Sequence, residues 1–182
     1  KGQEPQVQGA LDELDLGLRE SISDVRELLV HFRTRTNTDD IEQALQETLQ
    51  KFQSQTGLPA QLQVQGQGLP LPSDVQVQVL HVVQEALSNV RKHAGATQVD
   101  LEVVKGARWR FVVRDNGAGF DTGKHPGPSH VGLTIMRERA GRIGAEVEIV
   151  SRAGQGTTVT LTLPPHPEVG NGVAAKPPAV AA

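Results

Sequence analysis

The 182-residue chain carries 18 Lys and Arg against 21 Asp and Glu, a formal net charge of −3, and 37% of it is hydrophobic. That length suits one compact domain with appendages, no stretch approaches the ~18 consecutive apolar residues of a membrane span, and no basic-then-apolar signal segment opens the chain. The absence of Cys excludes disulfides, thiolate metal sites and cysteine nucleophiles, while slight acidity, 3% aromatic residues and no Tyr argue against direct nucleic-acid binding.

In chain order, the first predicted element is a long amphipathic helix. Leu11, Leu14, Leu18, Ser21, Val25, Leu28 and Phe32 recur at spacings of three and four, Ile22 and Leu29 widen the stripe, and the opposite face is charged. Such a stripe wants a partner helix, so residues 1–35 are expected to be part of a dimerisation helix. Thr38, Asp39 and Asp40 then suit a helix start, and Ile41, Ala44, Leu45, Thr48, Leu49 and Phe52 follow at helical spacing up to Gly57. Residues 61–65 alternate polar and apolar as a strand does, and the Gly/Pro-rich run 66–72 ends it.

Ser73 stands three residues before Gln76, a capping-box spacing, and opens a second long helix to about His93. Val99, Leu101 and Val103, then Trp109, Phe111 and Val113, predict two strands around a turn at Lys105-Gly106-Ala107. A loop rich in Gly, Pro and His runs from Phe120 to Val131. Leu133, Ile135, Met136, Ala140 and Ile143 suit a short helix, and residues 147–149 and 157–163 suit a hairpin turning at Gly154-Gln155-Gly156. This order predicts an α+β fold, a two-layer sandwich of a mixed sheet with helices on one face, spanning residues 36–164. Residues 165–182, mostly Pro, Ala, Val and Gly with almost no charge, are expected to form a disordered tail.

The second long helix carries the chemistry. At ~100° per residue, His81, Glu85, Asn89, Lys92 and His93 share one stripe, and Val79, Leu80, Val83, Leu87 and Val90 lie opposite it. A solvated face usually mixes Glu and Lys for ion pairing, whereas this stripe aligns a carboxylate, an amide, an amine and two imidazoles. Those are the parts of a metal-and-anion site, with Asn89 offering a neutral oxygen to a hard cation such as Mg²⁺. Asp115-Asn116-Gly117-Ala118-Gly119 sets a carboxylate at a strand end beside glycines that let a flat ligand approach, and a carboxylate accepts from an exocyclic amine such as that of adenine. Alone, that run reads as a glycine-rich turn, and it does not match the dinucleotide or P-loop spacings. Gly132-Leu133 enters a helix whose N-terminal amides suit phosphate, and Gly156, Thr157 and Thr158 bring hydroxyls to the end of the hairpin.

Taken together from Glu85 to Thr158, these four elements resemble the ATP-binding fold shared by gyrase-type topoisomerases, the ninety-kilodalton heat-shock chaperones, sensor histidine kinases and mismatch-repair ATPases. Residues 81–94 look like the N box of a histidine kinase. That resemblance implies Asn89 as the Mg²⁺ ligand, Lys92 and His93 as catalytic residues at the phosphates, and Glu85 as a catalytic residue that orients or deprotonates a water or polarises the water shell of the metal. Asp115, Gly117 and Gly119 resemble the first glycine box, with Asp115 on the adenine amino group. Gly132 and Leu133 resemble the second glycine box, and Gly156 with Thr157 and Thr158 the Gly-Thr element beside adenine. Residues 28–34 look like the end of the second dimerisation helix in the kinases paired with LuxR-type response regulators, and residues 131–140 are similar to the nitrate/nitrite sensor kinases.

The resemblance implies phosphoryl transfer from ATP with Mg²⁺ to a histidine and then to an aspartate of a LuxR-type response regulator. It further implies a homodimer in the intact protein, and a cytoplasmic domain, without membrane contact of its own, of a bacterial inner-membrane sensor. The segment from Phe120 to Val131 would be a lid. One feature departs from the family pattern: no His followed by an acidic residue forms a phosphoacceptor box. His31 precedes Phe32 and reads as an ordinary helix residue, while His125, His130 and His166 lack metal-ligand spacing. The chain is therefore expected to bind Mg·ATP without autophosphorylating. Two rivals remain: a hydrolytic ATPase of the gyrase or mismatch-repair type, which requires a following transducer domain, and a degenerate nucleotide module used for dimerisation, which requires damaged site residues. None of the four elements is visibly damaged.

Overall fold

A computed structural model describes residues 41–120 and 131–165. The expected dimerisation helix, the helix start at Thr38 to Asp40, the lid and the tail beyond residue 165 lie outside these residues, as do His31, His125, His130 and His166. Helix α1 (Ile41–Thr56) buries Ile41, Leu45, Leu49 and Phe52, the predicted stripe, and Glu42 sits in its first turn where the helix dipole favours a carboxylate. Gly57, at φ +72°, ends it by donating its N–H to the Gln53 carbonyl at 2.8 Å.

Five strands follow: β1 (Ala60–Gly66), β2 (Val99–Lys105), β3 (Arg110–Asp115), β4 (Glu146–Ser151) and β5 (Thr157–Thr162). They form one sheet in the order β1-β2-β3-β5-β4. β1 runs parallel to β2, and every other pair is antiparallel. The parallel pair needs a crossover, which α2 (Ser73–Asn89) supplies. Helix α3 (Val131–Arg142) packs against α2 and β4. Strand alternation sorts the sheet into two faces. Leu101, Val103, Phe111, Val113, Val159 and Leu161 join the helices in a single core, while Gln61, Gln63, Arg110, Arg114, Glu146 and Glu148 are exposed on the other face. There Arg114 reaches Glu102 at 3.0 Å. This is the mixed-sheet, two-layer α+β architecture read from the sequence.

The start of α2 departs from expectation. Pro72, not Ser73, occupies the cap position (φ −55°, ψ 147°), and no side chain caps the helix. With the cap one residue earlier, Gln76 lies past the third helical position that a capping box needs, and its backbone N–H donates to the Pro72 carbonyl at 3.0 Å. Gln76 instead turns inward, buried, and donates its amide to the Leu71 carbonyl at 2.8 Å. The far end also differs. The α-helix stops at Asn89, and one π-helical turn, Val90–Ala94, carries the chain to Gly95 at φ +58°.

That π turn docks on the turn after β3. The Ala118 N–H donates to the Ala94 carbonyl at 2.7 Å, the Gly154 N–H donates to the Ala118 carbonyl at 2.6 Å, and the Phe120 N–H donates to Ser151 Oγ at 2.9 Å. Asn116 pins the same turn sideways: its Oδ1 accepts from the Thr97 and Gln98 amides at 2.9 and 3.0 Å, and its Nδ2 donates to Thr97 Oγ1 at 2.8 Å. The approach is so close that a Cβ on Gly117 would strike the Ala94 carbonyl, and one on Gly119 would strike that of Arg152. Gly119 also has φ +59°. Gly119→Ala is therefore expected to destabilise the chain by at least ~1–2 kcal/mol from its backbone angle alone, and by more through the collision. Gly141→Ala, in α3 with nothing within 4 Å of its Cβ position, is expected to raise stability by up to ~1 kcal/mol. Urea unfolding of the two variants checks this contrast, and equal shifts would contradict it.

Candidate functional site

The end of α2, the turn after β3, the start of α3 and the β4–β5 hairpin surround a cavity of about 500 Å³. That volume falls within the ~300–1,000 Å³ of small-molecule sites. Its floor is sheet, with Val113 on β3 and Val159 on β5, and its side wall is Ala86 and Val90 of α2 with Leu133 of α3. Ala86 contributes only a methyl group to that wall. Val90 was expected on the core side of α2, opposite the polar stripe. It is buried, yet it also lines the cavity, because the cavity opens between α2 and the sheet, so core and site share that wall.

Four polar side chains reach the lining: Asn89, His93, Asp115 and Thr157. Asp115 ends β3, and its Oδ1 accepts the Gly117 N–H at 2.8 Å. That turn fixes the carboxylate and leaves its other oxygen as an acceptor for a ligand. Thr157 pairs with Asp115 across the β3–β5 ladder, which puts both side chains on the core face of the sheet at its cavity end. Gly119 and Leu133 also line the cavity, whereas Gly117 lies buried beneath Ala94 and shapes the turn from behind.

Glu85 stands beside Asn89. A Cβ on Gly132 would strike Glu85 Oε1 and come within 3.1 and 3.2 Å of the two terminal atoms of the Asn89 amide. The first turn of α3 thus lies directly on this carboxylate and amide, and a side chain at 132 would push their terminal atoms aside. Among the described residues no group of three His, Cys, Asp or Glu is arranged to hold a metal. The donor set instead fits a cation that takes one or two protein oxygens and fills its remaining positions with water and phosphate, the habit of Mg²⁺. Asn89 and Glu85 are the oxygens in place.

Two expected site residues stand elsewhere. Lys92 is exposed on the π turn and does not line the cavity. Thr158 pairs with Arg114 and Val150, so strand alternation sends its side chain to the open face of the sheet, away from Thr157. The expectation that both threonines serve the cavity is corrected accordingly. Sequence reasoning also passed over Ser151, whose buried hydroxyl contacts Phe120, Gly156 and Thr157. A lone serine at the end of a strand carries no pattern to flag it.

Comparison with known proteins identifies the family. The family described as "Histidine kinase-, DNA gyrase B-, and HSP90-like ATPase" matches residues 74–167. The nitrate/nitrite sensor protein NarQ of Escherichia coli is 34% identical over 158 residues, covering 86% of this chain and 28% of NarQ. The sensor histidine kinase LiaS of Bacillus subtilis is 33% identical over 151 residues, covering 82% of this chain and 41% of LiaS. The chain thus spans well under half the length of either relative. Among solved structures, the Acinetobacter baumannii histidine kinase AdeS superposes with a TM-score of 0.58 at 13% identity, over 90% of this chain and 85% of that one, a likeness of fold. With cavity, glycine turns and sequence in agreement, the chain belongs to the histidine kinase-, DNA gyrase B- and HSP90-like ATPase family and carries an ATP-binding domain of the sensor histidine kinase type.

Proposed function

We propose that the chain is the catalytic part of a two-component sensor kinase that passes the γ-phosphoryl group of Mg·ATP to a histidine and then to an aspartate of a LuxR-type response regulator. The observation that carries this reading is the meeting of Asp115, Thr157, Asn89 and His93 on one cavity walled by the apolar Ala86, Val90 and Leu133. Asp115 accepts from the adenine amino group, with Gly117 and Gly119 letting the base come close to the backbone. Asn89 holds Mg²⁺, and Glu85 beside it polarises the water shell of the ion. His93 from the lining and Lys92 from the exposed π turn offset phosphate charge, and Gly132 with Leu133 opens the helix next to them. Bound Mg·ATP supplies the transferable group, while these residues position it and balance its charge.

The wider assignments rest on likeness to the sensor kinases. Residues 36–164 form the catalytic domain, residues 1–35 serve dimerisation, and the intact protein is a homodimer. Similarity to NarQ supports nitrate or nitrite as the stimulus and a cytoplasmic position below an inner-membrane sensor. No helix among the described residues is long and apolar enough to cross a membrane.

Two substitutions test the site. Asp115→Asn keeps an oxygen for the Gly117 amide but loses the charged acceptor, so ATP affinity is expected to fall roughly ten- to hundredfold, the worth of a hydrogen bond to a charged group, with the melting transition preserved. Unaltered affinity would remove the base contact. Asn89→Ala is expected to erase the difference between titrations with and without Mg²⁺, and a persisting difference would place the cation on another ligand.

A further inference from the structure

With Gln76, Ser151 is one of two polar side chains that are buried among the described residues. It ends β4 and pairs with Thr157, which in turn pairs with Asp115. The three side chains stand in a row across the sheet, with neighbouring Cβ atoms ~4.5–5.5 Å apart. The Ser151 hydroxyl meets the Phe120 N–H at 2.9 Å, the Gly156 carbonyl at 3.1 Å and the Thr157 hydroxyl at 2.9 Å. A hydroxyl has one proton to give and two lone pairs. The Phe120 amide can only donate and the Gly156 carbonyl can only accept, so the proton of Ser151 goes to Gly156. The bond to Thr157 must then run from Thr157 to Ser151. The reverse direction would take the Ser151 proton from the carbonyl of Gly156, itself a buried residue.

The Thr157 proton is thereby turned away from the cavity, and its oxygen presents lone pairs beside the Asp115 carboxylate. Two adjacent acceptors suit a 6-amino group, which has two hydrogens to give directly or through a shared water. A 6-oxo group would set a third acceptor against them. We propose that Ser151 is a positioning residue for purine choice: by holding Thr157 as an acceptor, it makes the cavity favour 6-amino over 6-oxo purine nucleotides. The inference rests on the reading of the cavity as a nucleotide site.

The test titrates the purified 182-residue chain with ATP and with inosine triphosphate, which carries a 6-oxo in place of the 6-amino group, at fixed Mg²⁺. Ser151→Ala frees the Thr157 proton to turn into the cavity, and the preference for ATP is expected to fall about tenfold, the scale of one hydrogen bond. Ser151→Thr, which keeps the hydroxyl, is expected to restore the preference. In a Thr157→Val background Ser151→Ala should leave the ratio alone, since no hydroxyl remains to reorient. Weaker binding of both nucleotides at an unchanged ratio would mark a purely structural residue and overturn the proposal, as would a fall that persists in full beside Thr157→Val. Should Ser151→Ala fail to show a cooperative melt, Thr157→Val alone decides, because loss of the acceptor must lower the ratio and an unchanged ratio overturns the proposal. A parent chain that binds neither nucleotide contradicts the nucleotide reading itself and this assignment with it.

Discussion

The turn over residues 115–120 is seated between the π-helical end of α2 and the β4–β5 hairpin, and the cavity takes its form from that seating. Its middle residue, Ala118, donates to the Ala94 carbonyl on one side and accepts from the Gly154 amide on the other. Each such bond is worth only ~0.5–1.5 kcal/mol net, yet both partners come from different elements, so the pair fixes three pieces of chain relative to one another. Glycine is what permits the approach, since a side chain at 117 or 119 would meet a backbone carbonyl that cannot move aside. Asp115 inherits its position from this clamp. A carboxylate at a free strand end would wander with its loop, whereas this one is held by the Gly117 amide and by the ladder to Thr157.

The opposite wall is built by different means. There the helix–helix contact of α2 with α3 does the positioning, and Gly132 is again the residue that lets it happen, lying on the Glu85 carboxylate and the Asn89 amide. The π turn matters as well. It lets α2 continue past Asn89 while changing the phase of the residues that follow, so that His93 and Ala94 line the cavity and Lys92 does not. Single π turns inside α-helices often sit at functional sites, and here the turn joins Glu85 and Asn89 of α2 to the Ala94 carbonyl that clamps the turn after β3.

Much of this was legible beforehand, for identifiable reasons. The stripe of Ile41, Leu45, Leu49 and Phe52 and the alternation of Val99, Leu101 and Val103 are periodic signals, and burial follows them. Asp115 and its glycines alone read as an ordinary turn, and they stood out only in company with the polar stripe of α2 and the two later glycine elements. What escaped was whatever depended on three-dimensional phase. Pro72 took the cap position, which moved the Ser73–Gln76 spacing out of register by one residue. The π turn shifted the helical phase after Asn89, which no α-periodic count registers. Thr158 was grouped with Thr157 by adjacency, although a strand sends neighbours to opposite faces. Ser151 gains its meaning only from contacts with Phe120, Gly156 and Thr157, and sequence distance hides the first of these.

The central claim is that this cavity holds an adenine nucleotide together with a divalent cation. Calorimetric titration of the chain with ATP, with and without Mg²⁺ and beside GTP, tests it most directly. The account predicts one site that binds ATP, tightens when Mg²⁺ is present and discriminates against GTP. Equal binding of the two nucleotides, or saturation indifferent to Mg²⁺, would contradict it.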